Sequence, residues 1–237
     1  MSLSKLTIVI PTFYPGKIIK KCLASLPLIS EIIIIDNGED PELEKIIKLQ
    51  KHKIKHYKVG DVGLSKSFNI ALAKSKNENI LITQPDVCFE KNSIINLVKA
   101  QKKYTKAGII SPLLFEKKKY SQYDYLDLSL SKLGTLEDKR KPKTISMLPS
   151  GDICVEAVNA TAMLIKKSII KKINGWDENI YTYHEDIDLC LKLRRKNYSI
   201  MKVKNSIVHH IGFGSNKKKN RAKAEQSRNW HYCWSSL

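Results

Sequence analysis

The sequence predicts an α/β fold in which a mostly parallel sheet is flanked by helices. Short apolar runs alternate with helical patterns through the first hundred residues, and successive β-α-β units of this kind build doubly wound sheets. Polar residues directly follow several of the apolar runs, as expected where strands end at a binding edge. With 237 residues and a hydrophobic content of 42%, the chain can bury the core of one domain.

The predicted elements of the first half follow in regular order. A run of four isoleucines at 32–35 is typical of a parallel strand buried on both faces, and Asp36-Asn37-Gly38 ends it with a turn. Pro41 suits the first turn of a helix. The strand patterns cover residues 6–10, 32–35, 80–83 and 107–110, and the helical patterns cover residues 17–26, 41–50, 62–74 and 91–102.

The second half is less regular. Residues 116–151 give no clean period, and we predict a long loop or lid there, which in compact domains usually has a function. A β-like run at 153–165, a short helix at 167–173, a helix from Glu185 and a strand at 199–203 follow. Residues 216–237 form a tail that is first basic and then aromatic.

Composition narrows the class of protein. No apolar run approaches the ~20 residues that span a bilayer, and the start of the chain shows no signal peptide, so we expect a cytoplasmic protein. Five cysteines without a C-x-x-C spacing indicate free thiols. The net charge of +19 fits a solvated lysine-rich surface, an acidic small ligand, an anionic membrane or nucleic acid.

An acidic segment stands out in this basic chain. Five carboxylates lie within twelve residues, at Asp177, Glu178, Glu185, Asp186 and Asp188. The last three begin an apolar periodic run that ends in a basic cluster, 194–196, an arrangement that suits the helix dipole. Helix capping alone explains these acids, and a catalytic role is the alternative.

Seven motifs in a fixed order carry a resemblance to glycosyltransferase family 2, which has the nucleotide-binding GT-A fold, and to its rhamnosyltransferase-like branch. They span residues 7–215 and consist of T-I-V-I-P-T at 7–12, I-I-I-D-N-G at 33–38, D-V-G at 61–63 with Ser67 and Asn69, Q-P-D-V at 84–87, G-W-D-E at 175–178, E-D-I-D-L-C-L at 185–191 and H-I-G-F-G-S at 210–215. The resemblance implies one GT-A domain over 1–237, with a nucleotide-sugar half (1–110), an acceptor and catalytic half (111–215) and the tail (216–237).

The resemblance also implies where the donor binds. The ends of the first two strands would hold the nucleoside, through Pro11, Thr12, Tyr14, Asp36 and Asn37. A carboxylate at Asp36 can accept a hydrogen bond from a pyrimidine N–H group. Its strand-end position favours this role over the alternative, a turn aspartate that binds its own backbone.

A third segment and a metal site complete the implied donor site. Asp61, Gly63 and Asn69 match a family segment near the diphosphate-sugar, although Asp61 is equally explained as a helix N-cap. Asp86 matches the metal-binding aspartate of the D-x-D-type motif, whereas Gln84 stands where a carboxylate or Asn is commoner. The resemblance implies that Asp86 holds a divalent cation, Mn²⁺ or Mg²⁺, which arrives with the nucleotide. His210 is the expected further ligand, and His209 is the alternative one residue away.

The reaction implied by the resemblance is an inverting sugar transfer. Asp186 is the expected general base for the acceptor hydroxyl, and Glu185 is the fallback. Asp188 is expected to be structural, Trp176 suits either the acceptor site or the core, and Ala160 suggests a tight acceptor pocket.

The expected partners are a UDP- or dTDP-linked sugar and a glycan or lipid-linked acceptor of surface polysaccharide synthesis. The basic-aromatic tail suggests peripheral contact with the inner face of the membrane, and packing of its aromatic residues on the domain is the alternative. Other functions stay open: a sugar-nucleotidyltransferase, for which 12–16 is a poor phosphate loop, a nucleic-acid-binding protein, for which no recognition motif is found, and a non-catalytic family member, hinted at by Gln84.

Overall fold

The computed structural model describes residues 3–28, 31–116, 127–130, 136–140 and 150–211. Its strands are β1 (Leu6–Thr12), β2 (Glu31–Asp36), β3 (Ile54–Lys58), β4 (Asn79–Thr83), β5 (Val87–Phe89), β6 (Ala107–Glu116), β7 (Asp127–Leu130), β8 (Leu136–Arg140), β9 (Ile153–Val155), β10 (Ala162–Lys166) and β11 (Ser199–His210). Its helices are α1 (Ile19–Ser25), α2 (Pro41–Lys48), α3 (Leu64–Lys74), α4 (Ser93–Lys103), α5 (Lys167–Lys172) and α6 (Glu185–Arg195).

Within the described residues nine of the strands form one sheet in the order β3-β2-β1-β4-β10-β6-β11-β5, with β9 also paired to β11, and β7 pairs with β8 in a separate sheet. Strands β3, β2, β1 and β4 are parallel. β10 runs antiparallel to both β4 and β6, whereas β11 is parallel to β6. The prediction of a mostly parallel sheet therefore holds for the first four strands in this order, and the second half is mixed.

Apolar side chains cover both faces of this sheet. Ile32 and Ile34 pack on one face with residues of α1, α2 and α4, whereas Ile33 and Ile35 pack on the other with residues of α3, α5 and α6. Successive side chains of a strand point to opposite faces, so a strand buried on both faces needs an unbroken apolar run. This explains why all four isoleucines are 0% exposed.

The strands of the structure differ from the predicted ones in three places. Two strands were not predicted, because β3 is a half-exposed strand with little apolar character and β5 has only three residues. Part of the segment predicted as a long loop or lid over 116–151 instead forms strands, because β7 and β8 pair in antiparallel orientation. Leucines alternate with polar residues at 126–130, which is the period-two signal of a strand.

Helix α3 begins at Leu64 with Gly63 as its N-cap, so the N-cap alternative for Asp61 is wrong. Among the described residues, no helix has the length and apolar character required to cross a bilayer. The predictions for the glycine-rich segment at 212–215 and for the tail at 216–237 fall outside the described residues.

Candidate active site

The candidate site lies at the edge of the sheet where the parallel strands end. β1 pairs with β2 on one side and β4 on the other, and Thr12 at the end of β1 is in register with Asp36 at the end of β2. The carboxyl ends of these strands consequently lie side by side. This edge carries the nucleoside candidates of β1 and β2 and the segment Gln84–Asp86 after β4.

Asp36 is fully buried and its carboxylate binds protein groups. Its Oδ1 accepts the Gly38 N–H at 3.1 Å, and its Oδ2 accepts the Asp40 N–H at 3.1 Å. The Nε2 atom of His56, on β3, lies 3.1 Å from the same Oδ2. These contacts describe the turn role that was the alternative for Asp36, and contact with a nucleobase stays a prediction. His56 was not anticipated because β3 was not predicted.

The neighbouring nucleoside candidates divide into buried and exposed residues. The Asn37 amide donates to the Thr12 carbonyl at 3.3 Å, and its Oδ1 accepts the Ser67 hydroxyl at 3.0 Å, so it ties two strands to α3. Pro11, Thr12 and Asn37 are all buried. Tyr14, in contrast, is 53% exposed. Its backbone has a φ of +46°, and its ring lies so close to Gly38 that a Cβ there would be 3.0 Å away.

The structure brings Asp86 and His210 together from distant parts of the sequence. The antiparallel pairing of β5 with β11 places His210 opposite Val87, and His210 Nε2 lies 3.2 Å from Asp86 Oδ2. The Ile211 N–H also donates to the Asp86 carbonyl at 2.9 Å. Because successive strand residues face opposite sides, His209 points away and contacts Glu90 at 2.7 Å. Of the two candidate histidines, it is His210 that lies beside Asp86.

These two side chains are suited to holding part of a cation's coordination shell. A carboxylate oxygen and an imidazole nitrogen are ordinary ligands for Mn²⁺, and a carboxylate oxygen suits Mg²⁺. No group of three or more His, Cys, Asp or Glu side chains in the described part of the chain could hold a metal by itself. The pair therefore fits a cation that takes its remaining ligands from phosphate oxygens and water. Gln84 contributes its carbonyl to the turn, as acceptor of the Val87 N–H at 3.2 Å.

Asp186 is held at the same edge of the sheet. Its Oδ2 accepts the Ala160 N–H at 2.9 Å, and its Oδ1 accepts the Ile187 N–H at 2.8 Å. Thr161 follows Ala160 in the chain, and its carbonyl accepts a hydrogen bond from the Thr83 hydroxyl at 3.0 Å. Since Thr83 ends β4, just before Gln84–Asp86, this chain of contacts places the predicted base on the side of the sheet that carries Asp86. Two N–H donors stabilise a charged carboxylate.

Glu185 has a different environment from its neighbour. Its side chain is buried, and Oε2 has no hydrogen-bond partner among the described residues. Burial, reinforced by the nearby charge of Asp186, raises the pKa of the Glu185 carboxyl well above its usual value. Tyr183 and His184, just before it, both have left-handed backbones, with φ of +63° and +72°. Residues held in this region store strain, which often accompanies functional sites.

The residues expected beside the diphosphate contact protein in this structure. The Asn69 side chain donates to the Trp176 carbonyl and accepts from the Trp176 N–H. Gly63 packs against Tyr181, and the Asp61 carboxylate accepts a hydrogen bond from the Tyr181 hydroxyl. Their donor-binding role stays a prediction. Trp176 is in the core, with its ring 5.1 Å from that of Phe68, rather than in an open pocket.

Comparison with known proteins connects this site to a family. The sequence profile described as "Glycosyl transferase family 2" matches residues 7–171. The hexosyltransferase Agl10 of low-salt glycan biosynthesis from Haloferax volcanii is 25% identical over 207 residues, which is 84% of this chain. The rhamnosyltransferase WbbL of Escherichia coli is 27% identical over 205 residues, which is 68% of this chain and 75% of that protein.

A solved structure shows the same fold. GalNAc-T7, crystallised with UDP, GalNAc and Mn²⁺, superposes with a TM-score of 0.73 at 16% identity and covers 89% of this chain and 44% of that one. This similarity confirms the predicted α/β fold of GT-A type. The chain spans 64% of the length of the Haloferax relative, which is less than two thirds of that protein.

Proposed function

Because the chain belongs to glycosyl transferase family 2, we propose that it is an inverting glycosyltransferase that moves a sugar from a UDP- or dTDP-linked donor to a hydroxyl group. The acceptor is a glycan or a lipid-linked sugar, and the product belongs to a surface polysaccharide. The observation that carries the proposal is the meeting of Asp86 with His210 at the sheet edge to which Asp186 is also attached. These contacts support a site in which donor and acceptor would bind on the same side of the sheet.

In this reaction Asp186 accepts the proton of the acceptor hydroxyl while the oxygen attacks the anomeric carbon. The bond from that carbon to the diphosphate breaks on the opposite face, and the configuration inverts. The Ala160 and Ile187 N–H groups orient the carboxylate, and a base so placed contributes ~10²–10⁴-fold to the rate. The sugar passes through an oxocarbenium-like transition state, as in glycoside hydrolysis.

The leaving diphosphate needs its charge neutralised. Asp86 and His210 would hold a divalent cation, which supplies Lewis-acid stabilisation to the phosphate oxygens when bound. The presence of Mn²⁺ with UDP in the GalNAc-T7 structure supports a cation of this kind here. The exposure of Tyr14, which follows β1, supports a contact between its ring and the nucleoside. The hexosyl- and rhamnosyltransferase names of the relatives support a hexose or deoxyhexose as the transferred group.

The test is a thermal-shift panel of UDP, dTDP, GDP and CDP, each with and without Mn²⁺ or Mg²⁺. We expect a metal-dependent rise in Tm with a pyrimidine diphosphate, because a ligand that binds only the native state stabilises it, by ~2.7 kcal/mol at a hundredfold excess over Kd. Asp86→Ala is expected to abolish the metal-dependent part. Glu90→Ala is the matched control, since Glu90 binds His209 instead. Absence of a shift with every nucleotide would overturn the proposal.

A further inference from the structure

The start of α3 and the segment from Gly175 to Tyr181, called here the 175–181 segment, are joined by reciprocal hydrogen bonds. The Asn69 Oδ1 accepts the Trp176 N–H at 3.0 Å, and the Asn69 Nδ2 donates to the Trp176 carbonyl at 2.9 Å. The same Nδ2 lies 3.0 Å from Glu178 Oε1. One side-chain amide thereby satisfies both backbone groups of Trp176, as a neighbouring strand would.

The two surfaces also approach too closely for larger residues. Gly175 has a φ of +71°, and a Cβ there would lie 2.5 Å from Asn69 Oδ1. Gly63 has a φ of +82°, and a Cβ there would lie 2.4 Å from the Tyr181 carbonyl oxygen. That oxygen accepts the Leu64 N–H at 2.7 Å. The contact therefore extends from Gly63, the N-cap of α3, to Asn69, six residues further along the chain.

The 175–181 segment lies just before α6, the helix that carries Asp186. Only Thr182, Tyr183 and His184 separate Tyr181 from Glu185, the first residue of α6. Tyr183 and His184 hold left-handed backbones, which a chain adopts only when its surroundings fix it. Movement of the 175–181 segment would consequently displace Asp186. The position of Asp186 then depends both on this segment and on its hydrogen bond from the Ala160 N–H.

We propose that Asn69 is a positioning residue that holds Asp186 in place through the 175–181 segment, rather than a ligand of the donor diphosphate. The inference rests on the proposed function for the role of Asp186. A displacement of about 1 Å at a reacting group can cost ~10²-fold in rate without touching the substrate. Loss of Asn69 should therefore lower kcat and leave the affinity for the nucleotide nearly unchanged.

The decisive variant is Asn69→Ala, with Lys66→Ala as the control, because Lys66 is an exposed side chain of the same helix. Three quantities are measured: kcat with the donor identified by the nucleotide panel, the Kd of the matching nucleoside diphosphate by calorimetry, and amide hydrogen exchange. We expect kcat to fall ~10–100-fold, Kd to change less than about twofold, and residues 176–186 to exchange faster while β1 and β4 stay as in the wild type.

An increase in the nucleotide Kd with unchanged exchange at 176–186 would make Asn69 a donor ligand and overturn the proposal. Unchanged kcat would overturn it too. If the wild-type chain neither binds nucleotides nor transfers sugar, the proposed function fails. The positioning contact is tested separately, because unchanged amide exchange at 176–186 in the variant would refute it.

A second pair of variants keeps the test valid if Asn69→Ala does not fold. Asn69→Asp retains the acceptor for the Trp176 N–H, removes the donor to its carbonyl and places a charge beside Glu178. We expect Asn69→Asp to lower kcat, and Glu178→Gln added to it to recover part of the loss, because a glutamine amide can donate to the new carboxylate. Failure of the second change to restore any activity would count against the contact as the source of the effect.

Discussion

Two adjacent carboxyl groups at the start of α6 differ in burial and hydrogen bonding. Asp186 is partly exposed and accepts two backbone N–H groups, whereas Glu185 is buried and its Oε2 meets no hydrogen-bond partner in the part of the chain that the structure describes. Neighbouring acids whose environments differ in this way are a common basis for assigning catalytic roles. The structure therefore supports Asp186 over Glu185 as the proton acceptor in the proposed reaction.

Replacing Asp186 with Asn should reduce kcat ~10²–10⁴-fold, because the amide cannot accept the acceptor proton. The variant should fold normally, since the asparagine carbonyl can still accept the Ala160 N–H. Kinetics with the donor identified by the nucleotide panel, together with a melting curve, check this. Asp188→Asn is the control: it removes the ion pair with Lys192, so stability should fall while turnover persists. Near-normal turnover by Asp186→Asn would remove this residue from the mechanism.

Glu185 should make the stability of the protein depend on pH. An unfolded glutamate titrates near ~4.3, and burial raises the pKa of Glu185 in the folded state. Above the unfolded pKa, the folded state keeps a proton on Glu185 that the unfolded chain has lost. The contribution of Glu185 to stability is therefore greatest below the unfolded pKa, and it declines as the pH rises towards the folded pKa.

Glu185→Gln removes this titration, so the Tm of the variant relative to the wild type should increase with pH above ~4.3. Melting curves across a pH series measure the difference. The exposed Glu42→Gln controls for the loss of one carboxylate. A difference for Glu185→Gln that does not change with pH would show that the buried carboxyl is not protonated in the folded protein.

At the scale of elements, α3 docks closely on the 175–181 segment. Gly63 is the N-cap of α3. Glycine suits this position for two reasons: the φ is positive, and a Cβ would overlap Tyr181. Other glycines of the chain separate these two effects. Gly16 has a φ of +55° with nothing within 4 Å of a Cβ, and Gly151 meets neither constraint.

Three alanine variants should therefore rank in stability. Gly151→Ala should be close to neutral, Gly16→Ala should cost the left-handed backbone penalty of ~1–2 kcal/mol, and Gly63→Ala should cost more, ~3 kcal/mol or above, because its Cβ also overlaps the Tyr181 carbonyl. Denaturant unfolding gives the three free energies. Equal losses for Gly16→Ala and Gly63→Ala would mean that the close approach of Tyr181 relaxes without cost.

At the scale of the whole molecule, the excess of positive charge bears on partners. Exposed lysines occur on α1 and α4, on one face of the sheet, and the sequence adds a basic-aromatic tail at 216–237. A lipid-linked acceptor would lie at a membrane surface. An anionic surface attracts such charge over roughly one Debye length, ~10 Å at 0.1 M salt.

We expect the full chain to sediment with vesicles that contain anionic lipid at ~0.05 M salt and to dissociate by ~0.5 M, because salt screens the attraction. Vesicles of zwitterionic lipid provide the baseline. Removal of residues 216–237 should weaken binding if the tail makes the contact. Binding that is identical without the tail would assign the interaction to the lysines of the helices, and salt-independent binding would contradict an electrostatic contact.

The sequence by itself determined the local features of this protein. The isoleucine run at 32–35 fixed a strand buried on both faces, Pro41 marked the first position of α2, and the acids at 185–188 marked the first turn of α6. These features are set by interactions between residues close in the sequence, which periodicity and capping preferences report. The ordered motifs were likewise sufficient to predict the family.

Only the tertiary structure decided which distant residues meet. The antiparallel pairing of β5 with β11 selected His210 over His209 as the neighbour of Asp86, and a shift of one residue would have reversed that choice. Burial of Asp36 beside His56, and the contact of Asn69 with Trp176, likewise depend on strand order and helix packing. Such contacts join segments far apart along the chain, so no local pattern encodes them.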